Sequence, residues 1–317
     1  MSNKYNNDIE QVSLSVCEPM TQWGGKWTEE KLDAFEKYVN AYLTIMNVYR
    51  DKYNWKLIYF DGFAGSGSRE SKNKEEESNL LQDLFNEDSL AREELDLYKG
   101  AAERVLGIKQ RGFDYYYFID KDKESSEKLK ELLSVFNNNK IKYVNSDANE
   151  QVALLSKAMH EKRELAALVL LDPFGMQVDW NSIKLLKDTR TDLWILIPTG
   201  VIVNRLLDRK GELTYIDKLT SFFGKDEDFL RKYFYTIRQE KTLFGETEEI
   251  VEKVKQPIKK IAELYIDQLK EIFKFVTPSP LVLYNSRNTP IFHFACASNN
   301  ENAIKIANEI IQKKQSL

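Results

Sequence analysis

Four aspartates stand at the ends of β-prone segments, where a carboxylate can bind the polar groups of a nucleotide-like ligand. They are Asp61, Asp120, Asp147 and Asp172. Open α/β sheets bind their ligands at the carboxyl ends of parallel strands, so the four side chains are predicted to face one crevice. Aspartate also forms turns and caps helices, which is the simpler explanation for any one of them. Four such residues behind a glycine turn favour a ligand site.

The glycine turn comes directly after the first of these segments, where residues 61–67 read D-G-F-A-G-S-G. A phosphate-binding P-loop requires a lysine after its last glycine, and Ser68 and Arg69 stand there instead. The dinucleotide pattern G-x-G-x-x-G is matched in only two glycines. The pattern D-x-F-x-G-x-G, which holds the amino-acid part of S-adenosylmethionine (SAM), is matched throughout; a turn without a ligand is the remaining alternative. The residues predicted to bind the cofactor here are Asp61, Phe63, Ala64, Gly65 and Gly67.

Each carboxylate has its own role in this interpretation. Asp61 binds the amino group of SAM, directly or through water, and Asp120 accepts hydrogen bonds from the two ribose hydroxyls. Asp147 accepts from the exocyclic amine of adenine, while the backbone N–H of Ala148 binds a ring nitrogen. Asp172 faces the methyl group that is transferred.

The segment Asp172-Pro173-Phe174-Gly175 is the predicted reaction site. An amine that accepts a methyl group needs acceptors for its N–H groups, so that its lone pair points at the methyl carbon. Asp172 and a backbone carbonyl fixed by Pro173 supply such acceptors, and Phe174 can stack on a flat substrate. Enzymes that methylate amines usually carry D-P-P-[YFW], and this segment departs from it at the third and fourth positions. The stacking role of Phe174 therefore stays open.

Further polar residues lie beyond the fifth predicted strand. Asn204 and Arg205 are candidates for binding an anionic group of the substrate, although surface arginines are common. His293 lies in an apolar alternating run, which favours a hydrogen-bonded sheet histidine over a catalytic base. Three residues near the amino end, Trp23, Lys26 and Trp27, are candidates for covering the site, although core packing is their expected role.

The elements that must position these residues alternate between strand and helix. The predicted strands are residues 57–61, 115–119, 141–144, 167–171 and 193–197. Each is a short apolar or β-branched run, and helical spacing of apolar residues predicts the helices between them. The alternation predicts an α/β fold with a Rossmann-like, doubly wound, mostly parallel sheet. A helix beginning at Thr28 is expected to pack beside the first strand.

The chain after the fifth strand breaks this alternation. Residues 200–276 are predicted to form a helical insertion, or cap, that ends in a long helix from about residue 252 to 276. Two β runs then predict an antiparallel hairpin at the sheet edge, before a last helix. The predicted organisation is a leader and helix (1–55), a SAM-binding core (56–199) with a charged insertion at about 69–110, the cap (200–276), and a completing hairpin and helix (277–317).

The composition excludes several classes of protein. Of 317 residues, 42% are hydrophobic and 30% are charged, and the formal net charge is −4, which gives no global basic field for a nucleic-acid partner. Two cysteines and two histidines are too few for a disulfide framework or a metal site built on these residues. Because no apolar run is long enough to cross a bilayer and no signal-peptide core is recognisable, a cytoplasmic protein is expected.

Together these motifs resemble the three-Cys-motif partner protein (TcmP) family over about residues 26–310. The resemblance rests on residues 59–67, 118–120, 170–175 with Trp180, 197–198 leading to Arg205, and 292–294. It implies a fold similar to class I SAM-dependent methyltransferases. It also implies a protein partner of radical-SAM type that carries a three-cysteine motif, which this chain itself lacks.

Three hypotheses for the function follow. The first is SAM-dependent methyl transfer to an amine, either on a nucleobase of a nucleic acid or on a small molecule. The second is a catalytically inactive or SAM-binding partner protein that docks the three-cysteine protein through its cap, and the departures in D-P-F-G favour it. The third is a dinucleotide or nucleotide-sugar enzyme, which binding of NAD in place of SAM would reveal.

Overall fold

The computed structural model describes residues 26–65, 100–136, 138–173, 175–241 and 247–315. The amino-terminal leader, most of the charged insertion, Gly67 and Phe174 lie outside the described residues.

A mixed sheet forms the centre of the molecule. The described strands are β1 (Lys56–Asp61), β2 (Tyr115–Asp120), β3 (Ile141–Asn145), β4 (Leu165–Leu171), β5 (Thr191–Ile197), β6 (Tyr235–Lys241), β7 (Thr247–Lys253), β8 (Phe275–Val276), β9 (Leu281–Tyr284) and β10 (Pro290–Ser298). Eight of them form one sheet in the order β3-β2-β1-β4-β5-β10-β8, with β9 also paired to β10. Strands β1 to β5 are parallel, and β10 runs antiparallel to its three neighbours. The predicted fold class is confirmed.

Helices cover both faces of this sheet. The described helices are α1 (Lys26–Tyr53), α2 (Gly100–Leu106), α3 (Lys123–Leu132), α4 (Ala148–Glu161), α5 (Trp180–Lys184), α6 (Asn204–Leu206), α7 (Ile216–Phe223), α8 (Glu227–Phe234), α9 (Pro257–Ile272) and α10 (Glu301–Gln315). One apolar cluster joins α1, α2, α3 and α10 to the first face, and a second joins α4, α5, α7 and α9 to the other. Among these helices none is long and apolar enough to cross a membrane.

The middle of the sheet is the most apolar part of the chain. All seven residues of β4 are buried, because this strand pairs with β1 on one side and β5 on the other and is covered by helices on both faces. The chain runs from β1 outward through β2 to β3, and from β4 outward through β5. The strand order therefore reverses between β1 and β4, and the carboxyl ends of these two strands flank the crevice where doubly wound sheets bind ligands.

The segment after β5 differs from its prediction in two ways. It contains helices, as expected, but β6 and β7 pair as an antiparallel hairpin, and the long helix spans only Pro257–Ile272. Proline favours the first turn of a helix, which explains the start of α9. In β7 only Ile250 and Val251 are apolar, and they are adjacent, so the strand has no alternating apolar pattern that the sequence could show. The predicted carboxyl-terminal hairpin exists as β9 and β10, but β10 lies inside the sheet, next to β5.

Candidate functional site

The carboxyl ends of β1 and β4 bring two of the predicted acids together. Asp61 is the last residue of β1 and pairs in register with Leu170 of β4, two residues before Asp172. Each of the two aspartates is 2% exposed. Two carboxylates this deeply buried raise each other's cost of ionisation, so the edge needs compensating donors or cations.

Asp61 is held by the turn that follows it. One carboxylate oxygen accepts a hydrogen bond from the backbone N–H of Phe63 at 3.2 Å, and the other accepts from the hydroxyl of Tyr59 at 3.4 Å. Burial and, as the second cause, the negative charge of Asp172 together raise the pKa of Asp61 to about 7. Near neutral pH this carboxyl group thus exchanges readily between its two protonation states, and an approaching cation favours the ionised one.

Asp172 is paired with a residue that the sequence did not single out. The ammonium of Lys31, from α1, lies 2.6 Å from a carboxylate oxygen of Asp172, and the two side chains are only 5% and 3% exposed. The ammonium also lies 5.3 Å from the ring of Trp27, which in turn lies 5.3 Å from the ring of Phe292. An aromatic face and a carboxylate together form an environment that binds an amine cation.

Asp120 supports the glycine turn. One of its carboxylate oxygens accepts from the backbone N–H of Gly65 at 2.9 Å, and the other accepts from Asp122 at 2.7 Å. The backbone N–H of Ala64 donates to Ile119 at 2.8 Å, so the turn after β1 rests on the end of β2. Gly65 has a φ of +64°, a conformation that glycine adopts without strain.

Asp147 caps the amino end of α4, which is the role that the sequence had left as an alternative. Its carboxylate accepts from the backbone N–H of Asn149 at 2.8 Å and lies 4.0 Å from the ammonium of Lys121. The loop before it is bound to the end of β2, because Ser146 donates its backbone N–H to the carbonyl of Asp120 at 3.2 Å. Ala148 is the first residue of α4 and is buried. The acids after β2 and β3 therefore lie on adjoining loops.

The proposed substrate residues lie beyond β5. Asn204 accepts from the ammonium of Lys253 with its side-chain oxygen at 2.8 Å and with its backbone carbonyl at 2.6 Å. Burial lowers the pKa of Lys253 to about 8. Arg205 is exposed. Asn204 is thus bound to the β6–β7 hairpin, whereas Arg205 lies at the surface.

His293 has a structural role, as its apolar surroundings predicted. Its Nδ1 lies 2.7 Å from the hydroxyl of Thr199, and burial lowers its pKa to about 4. The imidazole is therefore neutral near pH 7.

The sequence carried one signal that would have found Lys31. Trp27, Lys31, Phe35 and Tyr38 recur at helical spacing on the side of α1 that is buried against the sheet. A lysine in such a row requires a buried partner. The identity of that partner was not readable, because the ion pair joins residues 141 positions apart.

Sequence comparison identifies no relative: no protein-family model matches the chain, and no curated protein matches it. Similar solved structures include protein LPL1258 from Legionella pneumophila str. Philadelphia 1 (family-model DUF519), at 13% identity and a TM-score of 0.38, covering 88% of this chain and 99% of that one. A putative methyltransferase, yhhF, from Escherichia coli has 15% identity and a TM-score of 0.26, with 67% and 85% covered. An rRNA methylase from Streptococcus thermophilus has 11% identity and a TM-score of 0.26, with 63% and 88% covered. Because these TM-scores are low, the function must be argued from the site itself.

Proposed function

We propose that the protein is a SAM-dependent methyltransferase that acts on an amine. The observation that carries this proposal is the buried arrangement at the ends of β1 and β4, where Asp61 and Asp172 lie together and Asp172 already binds an ammonium, that of Lys31, at 2.6 Å. A site that holds one amine cation between a carboxylate and an aromatic ring has the chemistry needed to hold another.

The residues present fit the proposed cofactor. Two buried carboxylates share this edge, and Lys31 pairs with Asp172, so the ammonium of SAM would supply a cation for Asp61. The remaining contacts of SAM would be made by the turn through Phe63, Ala64, Gly65 and Gly67, by Asp120 at the ribose, and by Asp147 and Ala148 at the adenine. When bound, SAM supplies a methyl group on a positively charged sulfur, which an amine nitrogen can attack.

The side chains around Asp172 would select and orient the nucleophile. Asp172 and the backbone carbonyl beside Pro173 accept hydrogen bonds from the amine and direct its lone pair. Lys31 holds the carboxylate of Asp172 in place through an ion pair of 2.6 Å. Phe174 is proposed to stack on the substrate, and Arg205 with Asn204 to bind an anionic group, such as a phosphate of a nucleic acid. The amine belongs to a nucleobase or to a small molecule.

Calorimetric titration with SAM tests the proposal directly. The wild-type protein should bind SAM with a dissociation constant below about 1 mM. Asp61→Ala should abolish binding, whereas Asp217→Ala, which changes an exposed aspartate of α7, should leave it unaltered. Folded wild-type protein that gives no heat with SAM, or that binds NAD in its place, would refute the proposal.

Separating binding from turnover tests the role of Asp172. Asp172→Asn keeps the shape of the side chain and should retain SAM binding, but methyl transfer to an amine acceptor should fall by about 100-fold or more, since the charged acceptor is lost. Equal turnover in the variant and the wild type would show that Asp172 has no role in methyl transfer.

A second candidate is a SAM-binding protein without methyl transfer that docks a three-cysteine protein of radical-SAM type. The burial of Asp172 under Lys31 favours it, because the reaction position is closed by the chain's own amine. Intact SAM affinity, co-purification with such a protein and no methylation of nucleic acid, peptide or small amine would support this function over the first.

A further inference from the structure

A cavity lies at the opposite end of the parallel strands from Asp61 and Asp172, at the amino ends of β4 and β5. Its volume is about 360 Å³. It is half open to solvent and is bordered by α1, by the end of α4, by the loop before β5 and by the end of β10. Cavities of this size accept small organic ligands. None of the residues that we assign to SAM or its substrate lines it.

A carboxylate without a cation forms part of its lining. Asp192 accepts hydrogen bonds from the hydroxyls of Tyr38 at 2.8 Å and Ser298 at 2.5 Å, and burial raises its pKa. Within the described ranges Asp192 has no ion-pair partner. The residues around it are largely apolar. Nearby, the hydroxyl of Tyr42 is buried and lacks a hydrogen-bond partner among the described residues. A desolvated carboxylate of this kind favours the arrival of a cation.

Two arginines on the same cavity carry the opposite charge. The guanidinium of Arg190 lies 3.9 Å from the ring of Trp55 and donates to the carbonyls of Arg163 at 2.7 Å and Leu165 at 3.1 Å. Burial lowers its pKa, and the positive charge of Arg163 lowers it further. Arg163 is exposed, and within the described part of the chain its guanidinium has neither a carboxylate nor a hydrogen-bond acceptor. An anion bound between these two guanidinium groups would reduce the repulsion between their positive charges.

The walls between these charges are partly apolar, because Met46, Tyr49, Trp55, Met159 and Leu165 line them. The rest of the lining is polar and includes a second carboxylate, Asp188, with Thr189, Thr191, Ser298, Asn299 and Asn300. The cavity therefore presents two carboxylates, two arginines and an apolar surface to the same small ligand.

We propose that this cavity binds a free α-amino acid with an apolar side chain. Its ammonium would pair with Asp192, its carboxylate with Arg163, and its side chain with the apolar wall. A simple amine leaves the two arginines without an anion, and a simple carboxylate leaves Asp192 without a cation. A zwitterion supplies both charges without a net change at the site, and such charge-assisted bonds are the strong ones.

Thermal-shift measurements with the proteinogenic amino acids, one at a time at about 10 mM, provide the first test. At least one apolar amino acid should raise the melting temperature, and calorimetry should confirm its binding. The amine and the carboxylic acid that carry the same side chain should each bind at least about tenfold more weakly, because each loses one charge-assisted contact.

Two variants locate the binding. Arg163→Ala and Asp192→Asn should each weaken the amino acid by about tenfold or more, while Arg238→Ala, at an exposed arginine of β6, should have no effect. Arg163 is exposed, so its variant keeps the test valid even if Asp192→Asn unfolds the protein. No binding of any amino acid, or binding that persists unchanged in Arg163→Ala, overturns the proposal.

Binding of the amino acid in the cavity must be distinguished from binding at the SAM site, because Asp61 is also proposed to hold an ammonium. Amino-acid affinity should be the same in Asp61→Ala, which loses SAM, as in the wild type. Affinity that disappears in Asp61→Ala and persists in Arg163→Ala would place the amino acid at the other edge and overturn the inference. Absence of SAM binding with intact amino-acid binding would refute only the proposed function.

Discussion

The parallel strands carry a partly or fully buried carboxylate at each of their two ends, which are called here the carboxyl edge and the amino edge of the sheet. The two carboxylates are stabilised in different ways. At the carboxyl edge, Asp172 has an ion pair with Lys31 at 2.6 Å. At the amino edge, Asp192 accepts from the hydroxyls of Tyr38 and Ser298 and has no ion pair within the described ranges. Hydroxyl groups fix the orientation of a carboxylate, whereas an ammonium also neutralises its charge. The charge of Asp172 is thus balanced by a cation of the chain, whereas that of Asp192 is left to a proton or a ligand.

Removing the ion pair should have the largest effect on stability. Lys31→Met leaves Asp172 buried without its ammonium, which should lower the free energy of unfolding by about 3–5 kcal/mol. Urea denaturation measures this loss. As a control, Lys305→Met removes an exposed pair with Glu301 at 2.8 Å and should cost at most about 0.5 kcal/mol. Equal effects of the two substitutions would show that the buried pair does not hold the carboxyl edge together.

The second largest effect should be the pH dependence of stability that Asp61 causes at the carboxyl edge. The pKa of Asp61 is raised to about 7 in the folded protein, above its ordinary value of 3.8, so the folded state binds this proton more tightly than the unfolded state. Its contribution to stability is full below pH 3.8 and is lost as the pH rises towards 7, by at most about 4 kcal/mol. Asp61→Asn should flatten that part of the pH profile of unfolding. If Asp61→Asn leaves the unfolding profile unchanged between pH 4 and 7, Asp61 is not the cause of this pH dependence.

Losing one hydroxyl at the amino edge should have the smallest effect. Tyr38→Phe removes a donor to Asp192 and should cost about 1–3 kcal/mol, because the carboxylate is left less satisfied. Tyr265→Phe is the matched control: its hydroxyl is buried and has no hydrogen-bond partner in the described part of the structure, so the change should be neutral or stabilising. Thermal unfolding of both variants measures the difference. If Tyr38→Phe is as stable as Tyr265→Phe, the hydroxyl is not what holds Asp192.

The sequence predicts the parallel core well, because the strands carry their own signals. The fully apolar β4 and the aromatic run of β2 are continuous in sequence and end at the acids that the structure places at one edge. The glycine turn was readable for the same reason, and its support by Asp120 follows once β1 and β2 are neighbours.

Other parts depend on contacts between distant residues and were not predictable in this way. The pairing of Lys31 with Asp172 joins α1 to β4, and the position of β10 beside β5 is decided by packing across the sheet. The β6–β7 hairpin was missed because both strands are rich in charged residues and neither has a sustained alternation of apolar and polar residues. The assignments of individual site residues to SAM and substrate stay predictions until a ligand is measured.

Helix α1 reaches both edges. It carries Lys31 at the carboxyl edge and contributes Tyr42, Met46 and Tyr49 to the cavity at the amino edge. At 1.5 Å per residue, Lys31 and Tyr49 are separated by about 27 Å along one rigid rod. The two sites therefore share one structural element. If a ligand at one site shifts α1 and changes affinity at the other, reciprocity requires that the second ligand change the affinity of the first by the same factor.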